Sequence, residues 1–189
     1  MNVIFLDFDG VLDTYHAESN LDIERRIKIL ADICKEYDCK IVIEASAKDA
    51  INEETLEVDD NAKWIKHIFD CFKKYGITCI GRTPTVEKRY NKYSYLPIWK
   101  EDEIRLYLCR HPEIDHYCVI DDDDLAFMHR KSDLDKVRNH LVKTLNYSDN
   151  VLEEGLLEKH KMEVEKALKE DNEVKKLCLR KKMLKQGEK

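Results

Sequence analysis

The chain alternates short apolar runs with longer stretches in which apolar residues recur every three or four positions. The first apolar run extends from Val3 to Leu6, and comparable runs follow at Ile41 to Ile43, Ile77 to Ile80 and Tyr117 to Ile120. Runs of this length without polar interruption are typical of strands that are buried on both faces, as in parallel sheets. A shorter run, Leu141 to Val142, indicates a fifth and weaker strand.

The stretches between these runs are amphipathic and predict helices. Between residues 21 and 37, the apolar residues recur at helical spacing, as Ile23, Ile27, Leu30 and Cys34. Similar spacing predicts helices near residues 64–72, 104–108 and 156–168. This alternation predicts a Rossmann-like, three-layer α/β/α fold with a mainly parallel central sheet and no large cap domain. Ligands of such sheets bind beyond the carboxyl ends of the strands, so the residues after each strand are the first candidates for a site.

Composition and charge narrow the functional classes. The 189 residues are 43% hydrophobic and 38% charged, which suits one domain with a real core. The net charge of -6 excludes a chain-wide basic surface for nucleic acid, although a local basic patch remains compatible with it. No apolar run approaches the roughly 20 residues that span a bilayer. Because the first residues also lack the basic start of a signal peptide, we expect a cytoplasmic protein without a membrane partner.

The seven cysteines predict free thiols rather than disulfides or a metal site. Their number is odd, no CxxC motif occurs, and most of them lie inside apolar stretches. Buried thiols of this kind are typical of a reducing compartment.

The last part of the chain differs in composition from the rest. We assign residues 1–170 to one domain and residues 171–189 to a basic tail, in which Lys and Arg recur without an acid from position 174 until Glu188. Such a tail is typical of a solvated helix end that frays, and it could alternatively contact nucleic acid or a partner protein.

Acidic clusters directly follow two of the predicted strands. Asp7 and Asp9 follow the first strand, and the run Asp121 to Asp124 follows the fourth. Carboxylates held close together repel one another unless a cation or a proton intervenes. If both clusters lie at one sheet edge, their oxygen atoms suit a hard cation, Mg²⁺ before Ca²⁺. The alternative is that these acids cap helices or form turns.

The first cluster carries a family resemblance. The run Asp7 to Leu12, after an apolar strand, resembles the first motif of the haloacid dehalogenase (HAD) superfamily of phosphohydrolases. The run Val119 to Asp122 resembles the later acidic motif of the same superfamily. More narrowly, Lys100 to Ile104 and His111 to Ile114 resemble a small branch that includes the phosphatase-like domains of RNA-repair proteins. The resemblance extends over roughly residues 1–168.

The resemblance implies a Mg²⁺-dependent phosphomonoesterase that acts through an aspartyl-phosphate. Asp7 would attack phosphorus, and Asp9 would protonate the leaving oxygen and later deprotonate water. Mg²⁺ is expected on Asp7, on the backbone carbonyl of Asp9 and on Asp121, with Asp122 ligating directly or through water. Asp123 and Asp124, the last two acids of that run, are expected to contact the metal ligands or to form a turn. Gly10 would let the chain turn tightly and approach the phosphate.

The second and third motifs of the family are less regular here. Relatives carry a run of Ser or Thr, an aromatic residue and Arg after the second strand, whereas this chain reads Glu44-Ala45-Ser46-Ala47-Lys48. Ser46 is the remaining hydroxyl that could hold the phosphate, with a helix N-cap as its alternative role. Glu44 is expected to point away or to pair with Lys48. Lys100 is expected to neutralise the transferred phosphate. Its competitors for this role are Arg82, Lys88 and Arg89.

The substrate is expected to be large or to expose its phosphate. The segments from Asp9 to Ile41 and from Ile80 to Lys100 are too short for a cap with its own core, so the site should be open. The stretch from Arg82 to Lys100 mixes basic and aromatic residues, which could bind single-stranded nucleic acid or merely anchor a surface loop. The alternative functions are a polynucleotide end-processing phosphatase and a phosphate-binding scaffold that has lost turnover.

Overall fold

The computed structural model describes residues 1–13, 20–85, 100–123, 137–144, 146–148, 151–153 and 155–179. Its strands are β1 (Asn2–Leu6), β2 (Cys39–Ile43), β3 (Cys79–Arg82), β4 (His116–Asp121), β5 (Leu141–Lys143), β6 (Asn146–Ser148) and β7 (Val151–Glu153). Its helices are α1 (Asn20–Tyr37), α2 (Lys63–Tyr75), α3 (Lys100–Arg110) and α4 (His160–Lys169), with a 3₁₀ helix at Ser46–Ala50. All five predicted strands and all four predicted helices are present, although β3 begins at Cys79 rather than Ile77 and α4 at His160 rather than Leu156.

Strands β1 to β5 form one parallel sheet in the order β3-β2-β1-β4-β5. The central strand β1 pairs with β2 on one side and with β4 on the other, so that Leu6 lies opposite both Ile43 and Ile120. The order of the strands reverses at β1, which makes the carboxyl ends of β1 and β4 the switch point where such sheets bind ligands. The predicted Rossmann-like fold is therefore confirmed. Strands β6 and β7 form a separate antiparallel hairpin that the apolar pattern does not indicate.

Helices cover both faces of the sheet, because successive residues of a buried strand point to opposite sides. Ile4 and Leu6 of β1 pack into a core with apolar residues of α1, α2 and α4. Val3 and Phe5 pack on the other face with residues of α3 and with Val174. The two apolar clusters and the sheet between them make the three layers that the sequence predicts.

The beginning of the basic tail packs onto this domain. Residues 173–179 are helical, and Val174 is buried. Asn172 donates a side-chain hydrogen bond to the Ile114 carbonyl at 3.2 Å, and the Lys175 ammonium lies 2.8 Å from Asp115. These contacts attach the segment to the loop between α3 and β4. Residues 180–189 lie outside the described part of the chain.

The same C-terminal segment contains one of two cysteines that differ from the predicted free thiols. Five cysteines are free, but Cys109 and Cys178 form a disulfide. The expectation that all seven are free thiols is therefore wrong for this pair. The reason is tertiary: packing of the C-terminal segment brings together two Cα atoms, 5.6 Å apart, that are separated by 69 positions in the sequence.

None of the helices in the described ranges is both long enough and apolar enough to cross a membrane.

Candidate active site

The parallel pairing of β1 with β4 places Asp7 beside Asp121. The two strands end in register, and the Asp7 amide donates a hydrogen bond to the Ile120 carbonyl at 3.0 Å. Both carboxyl groups are buried, Asp7 at 3% and Asp121 at 0% exposure. The Phe8 amide donates to Asp7 Oδ1 at 2.8 Å, and the Asp123 amide donates to Asp121 Oδ1 at 3.0 Å. One oxygen of each carboxylate is thus held by the backbone, and the other, Oδ2, lies within hydrogen-bond distance of the Lys100 ammonium.

The ammonium group of Lys100 contacts both carboxylates. Its Nζ lies 2.5 Å from Asp7 Oδ2 and 2.9 Å from Asp121 Oδ2. Lys100 is the first residue of α3, which begins at the carboxyl edge of the sheet because it follows the parallel strand β3. Burial by itself would lower the pKa of Lys100, but its two ion pairs raise the pKa above its ordinary value. Lys100 is therefore a permanent cation in contact with two buried acids.

The other basic candidates do not contact these acids in the described residues. The Arg82 guanidinium lies 3.2 Å from the Thr83 carbonyl and 3.3 Å from the Thr85 hydroxyl, and it is 3.9 Å from Glu53. Lys88 and Arg89 lie outside the described residues, as does most of the basic, aromatic stretch that precedes α3.

The single positive charge of Lys100 does not balance the negative charges of the acids around it. Burial raises the pKa of Asp121 to about 7, and the charge of Asp7 adds to this shift while Lys100 opposes it. Burial likewise raises the pKa of Asp7 above its ordinary value. Carboxyl oxygens of Asp7, Asp121 and Asp122 lie within 4.8 Å of one another. This set of three hard oxygen donors, short of positive charge, fits a divalent cation such as Mg²⁺. Asp124 lies outside the described residues.

Two residues shape the loop that follows Asp7. Gly10 has a φ of +69°, and a Cβ atom at this position would lie 2.3 Å from Asp122 Cγ. Only glycine fits such a left-handed turn against a neighbouring side chain. Thr144, directly after β5, donates from its hydroxyl to the Gly10 carbonyl at 3.0 Å and from its amide to the Asp121 carbonyl at 2.9 Å. Sequence reasoning missed this role of Thr144, for which the available signal was a hydroxyl residue directly after a strand.

Asp9 lies at the exposed side of the same loop. Its carboxyl group is exposed and does not belong to the three-acid cluster. Partial burial raises the pKa of Asp9 above its ordinary value, and the charge of Asp13 adds to this effect. An acid with a raised pKa at the mouth of a site can exchange protons with a substrate.

Ser46 and Glu44 differ in their surroundings. Ser46 is exposed at the start of the 3₁₀ helix, and within the described part of the chain no hydrogen bond joins it to Asp7, Asp121 or Lys100. The N-cap of that helix is Ala45 rather than Ser46. Glu44 is fully buried and pairs with Lys48 at 3.2 Å, which confirms the pairing predicted from the sequence.

Comparison with known families agrees with the motifs and the geometry. Residues 3–149 match the family model described as the HAD domain in Swiss Army Knife RNA repair proteins. No curated protein and no solved structure matches the chain. The match covers most of the chain, including both acidic strand ends and Lys100, and the five-stranded parallel sheet is the fold that the family resemblance implied. The chain therefore belongs to the family of HAD domains of Swiss Army Knife RNA repair proteins, as a HAD-like phosphatase domain.

Proposed function

We propose that this protein is a Mg²⁺-dependent phosphomonoesterase that acts through an aspartyl-phosphate intermediate. The observation that carries the proposal is the geometry of Asp7. Its Oδ1 accepts the Phe8 amide at 2.8 Å, and its Oδ2 faces the Lys100 ammonium at 2.5 Å. A carboxylate that is oriented in this way at the switch point of the sheet is suited to attack an incoming phosphate.

The proposed reaction has two steps. In the first, an Asp7 oxygen forms a bond to phosphorus while the bond from phosphorus to the ester oxygen breaks. Asp9 gives its proton to that leaving oxygen, which departs as an alcohol. In the second step, Asp9 takes a proton from water, and the resulting hydroxide attacks phosphorus. The bond from Asp7 to phosphorus then breaks, so that inorganic phosphate leaves and the Asp7 carboxylate is restored.

The remaining residues bind and neutralise the phosphate or would hold the metal ion. Lys100 neutralises the phosphate as it approaches the acids, and Ser46 supplies a hydroxyl to a phosphate oxygen. Asp7, Asp121 and Asp122 would hold Mg²⁺, together with the backbone carbonyl of Asp9. When bound, the ion would offset the repulsion between carboxylate and phosphate and polarise the phosphoryl oxygens.

The decisive experiment replaces the nucleophile. We expect Asp7→Asn to abolish the release of phosphate from p-nitrophenyl phosphate and from phosphorylated oligonucleotides, since the nearly isosteric amide cannot act as a carboxylate nucleophile. The variant should remain folded, as measured by circular dichroism and thermal melting, because it also relieves charge repulsion in the buried cluster. Asp60→Asn, in an exposed loop, is the matched control and should retain activity. Turnover of Asp7→Asn near that of the wild type would exclude Asp7 from this role.

A second candidate is a polynucleotide end-processing phosphatase, favoured by the RNA-repair proteins in which the family's HAD domains occur. The segments from Asp9 to Ile41 and from Ile80 to Lys100 are too short for a cap with its own core, so remote contacts of a large substrate would supply binding energy. On this basis we expect kcat/KM to be higher for 3′- or 5′-phosphorylated single-stranded oligonucleotides than for mononucleotides. The advantage should shrink as salt is raised, because phosphate contacts release counterions.

The same assay distinguishes the alternatives. Equal kcat/KM for mononucleotides and oligonucleotides at all salt concentrations would favour a small metabolite or a phosphoprotein. Binding of phosphate esters without release of phosphate would favour a scaffold module that has lost turnover. We place the protein in the cytoplasm on its sequence pattern. In that reducing compartment, the Cys109–Cys178 pair would be open to reduction.

A further inference from the structure

A second cluster of polar and ionisable side chains is buried beside the candidate site, where β2 and β3 end and α3 begins. The Lys48 ammonium lies 3.2 Å from Glu44 Oε1, donates to the Thr83 hydroxyl at 3.0 Å and pairs with Glu103. The Thr83 hydroxyl also donates to Glu44. Glu44 and Thr83 are fully buried, and Lys48 is 5% exposed. Water cannot easily replace these partners, so each group holds the others in place.

The cluster bridges two elements of the site. Lys48 belongs to the 3₁₀ helix after β2, where the family's second motif lies. Glu103 lies on the first turn of α3, three positions after Lys100 and therefore on a neighbouring part of the same helix face. The Glu44 amide also donates to the Leu6 carbonyl at 2.8 Å, directly before Asp7 in the chain. The contacts thus run from the end of β1, through Lys48, to the helix that carries Lys100.

We propose that Lys48 is a positioning residue, which holds the first turn of α3 through Glu103 and so sets the position of the Lys100 ammonium against Asp7. Glu44 and Thr83 keep Lys48 in place from the other side. This inference rests on the proposed function in one respect, namely that Lys100 takes part in turnover. The contact between the two helical segments does not depend on that function.

A double-mutant cycle tests the link to Lys100. We expect Lys48→Met to lower kcat on p-nitrophenyl phosphate by about tenfold or more, since a shift of about 1 Å in a catalytic group is costly. Lys48→Arg should keep most of the activity, because it preserves the charge. In a Lys100→Ala background, Lys48→Met should cause little further loss, since residues that act through one another are not additive. Lys66→Met, which removes a half-exposed lysine paired with Asp60, is the control and should leave kcat unchanged.

Amide hydrogen exchange tests the contact without any need for turnover. Peptides from residues 100–110 should exchange faster in Lys48→Met than in the wild type or in Lys66→Met, whereas peptides from α4 should not change. If Lys48→Met does not fold, Glu103→Gln makes the same test from the side of the helix.

Unchanged exchange in α3 would overturn the proposal. An equal loss of kcat in the presence and absence of Lys100 would also overturn it. If no phosphate ester is hydrolysed by the wild type, the proposed function fails, while the exchange experiment still decides the positioning role.

Discussion

Asp121 is fully buried, and one lysine ammonium is the counter-charge that it shares with Asp7 among the described residues. A divalent cation would relieve the repulsion in this cluster and would bind the folded protein far better than the unfolded chain. We therefore expect Mg²⁺ to raise the melting temperature. At a concentration of about 100 times its Kd, the gain is about 2.7 kcal/mol, or roughly 5–10 °C for a chain of this size.

Substitution at the same residue tests where the ion binds. Asp121→Ala should remove most of the Mg²⁺-dependent rise in melting temperature, because it deletes one of the three clustered oxygen donors. The matched control is Asp60→Ala, whose acid lies in an exposed loop and should leave the rise intact. An equal Mg²⁺ effect in wild type and Asp121→Ala would mean that the ion binds elsewhere.

At the scale of elements, the C-terminal segment is attached to α3 by the disulfide between Cys109 and Cys178. We expect the denatured, unreduced protein to titrate five free thiols and the reduced protein to titrate seven. A cross-link between positions 69 apart in the chain restricts the unfolded state. Reduction should therefore lower the free energy of unfolding by up to about 4 kcal/mol. Cys178→Ser should melt at the lower temperature and should not respond to reductant. Seven thiols before reduction would contradict the cross-link.

At the scale of the whole molecule, buried acids make stability depend on pH. Burial raises the pKa of Glu44 to about 8, against 4.5 for its ordinary value, even though Lys48 and Thr83 oppose the shift. Between the pKa of a carboxyl group in the unfolded chain and its higher pKa in the folded protein, the folded protein holds a proton that the unfolded chain has released. The free energy of unfolding therefore falls as pH rises through that range. Asp121, with a pKa raised to about 7, acts in the same direction. We expect the melting temperature of the metal-free protein to fall between about pH 6.5 and pH 8, since at lower pH the buried His140 and His160, whose pKa values burial lowers, act in the opposite direction.

The Glu44→Gln variant measures how much Glu44 contributes to the pH dependence of stability. The amide cannot ionise, so the variant should lose less stability than the wild type over the same pH range. Glu158→Gln, which alters an exposed acid paired with Lys161, is the control and should follow the wild-type curve. A melting temperature that rises with pH in the wild type, or a Glu44→Gln curve parallel to it, would contradict the assignment.

Local pattern was enough to predict the five strands of the central sheet, helices α1 to α4 and the class of fold. Apolar runs identify β1 to β5, because a strand covered on both faces needs an apolar side chain at nearly every position. Helical spacing identifies α1 to α4 in the same way. The run from Asp7 to Leu12 also carried the family resemblance, since the acids and the glycine of that loop are adjacent in the sequence.

Tertiary structure alone decided which distant residues meet. The order of the strands brings Asp121 beside Asp7, and the start of α3 brings Lys100, rather than Arg82, against both acids. Tertiary structure likewise determines the hydrogen bond from Thr144 to the Gly10 carbonyl and the ion pair between Glu103 and Lys48. It also determines the disulfide between Cys109 and Cys178. Hydrophobic periodicity reports whether a residue is buried, because burial is a property of one position. A hydrogen bond or an ion pair depends on two positions far apart in the chain, and their distance is set only when the sheet and its helices have packed.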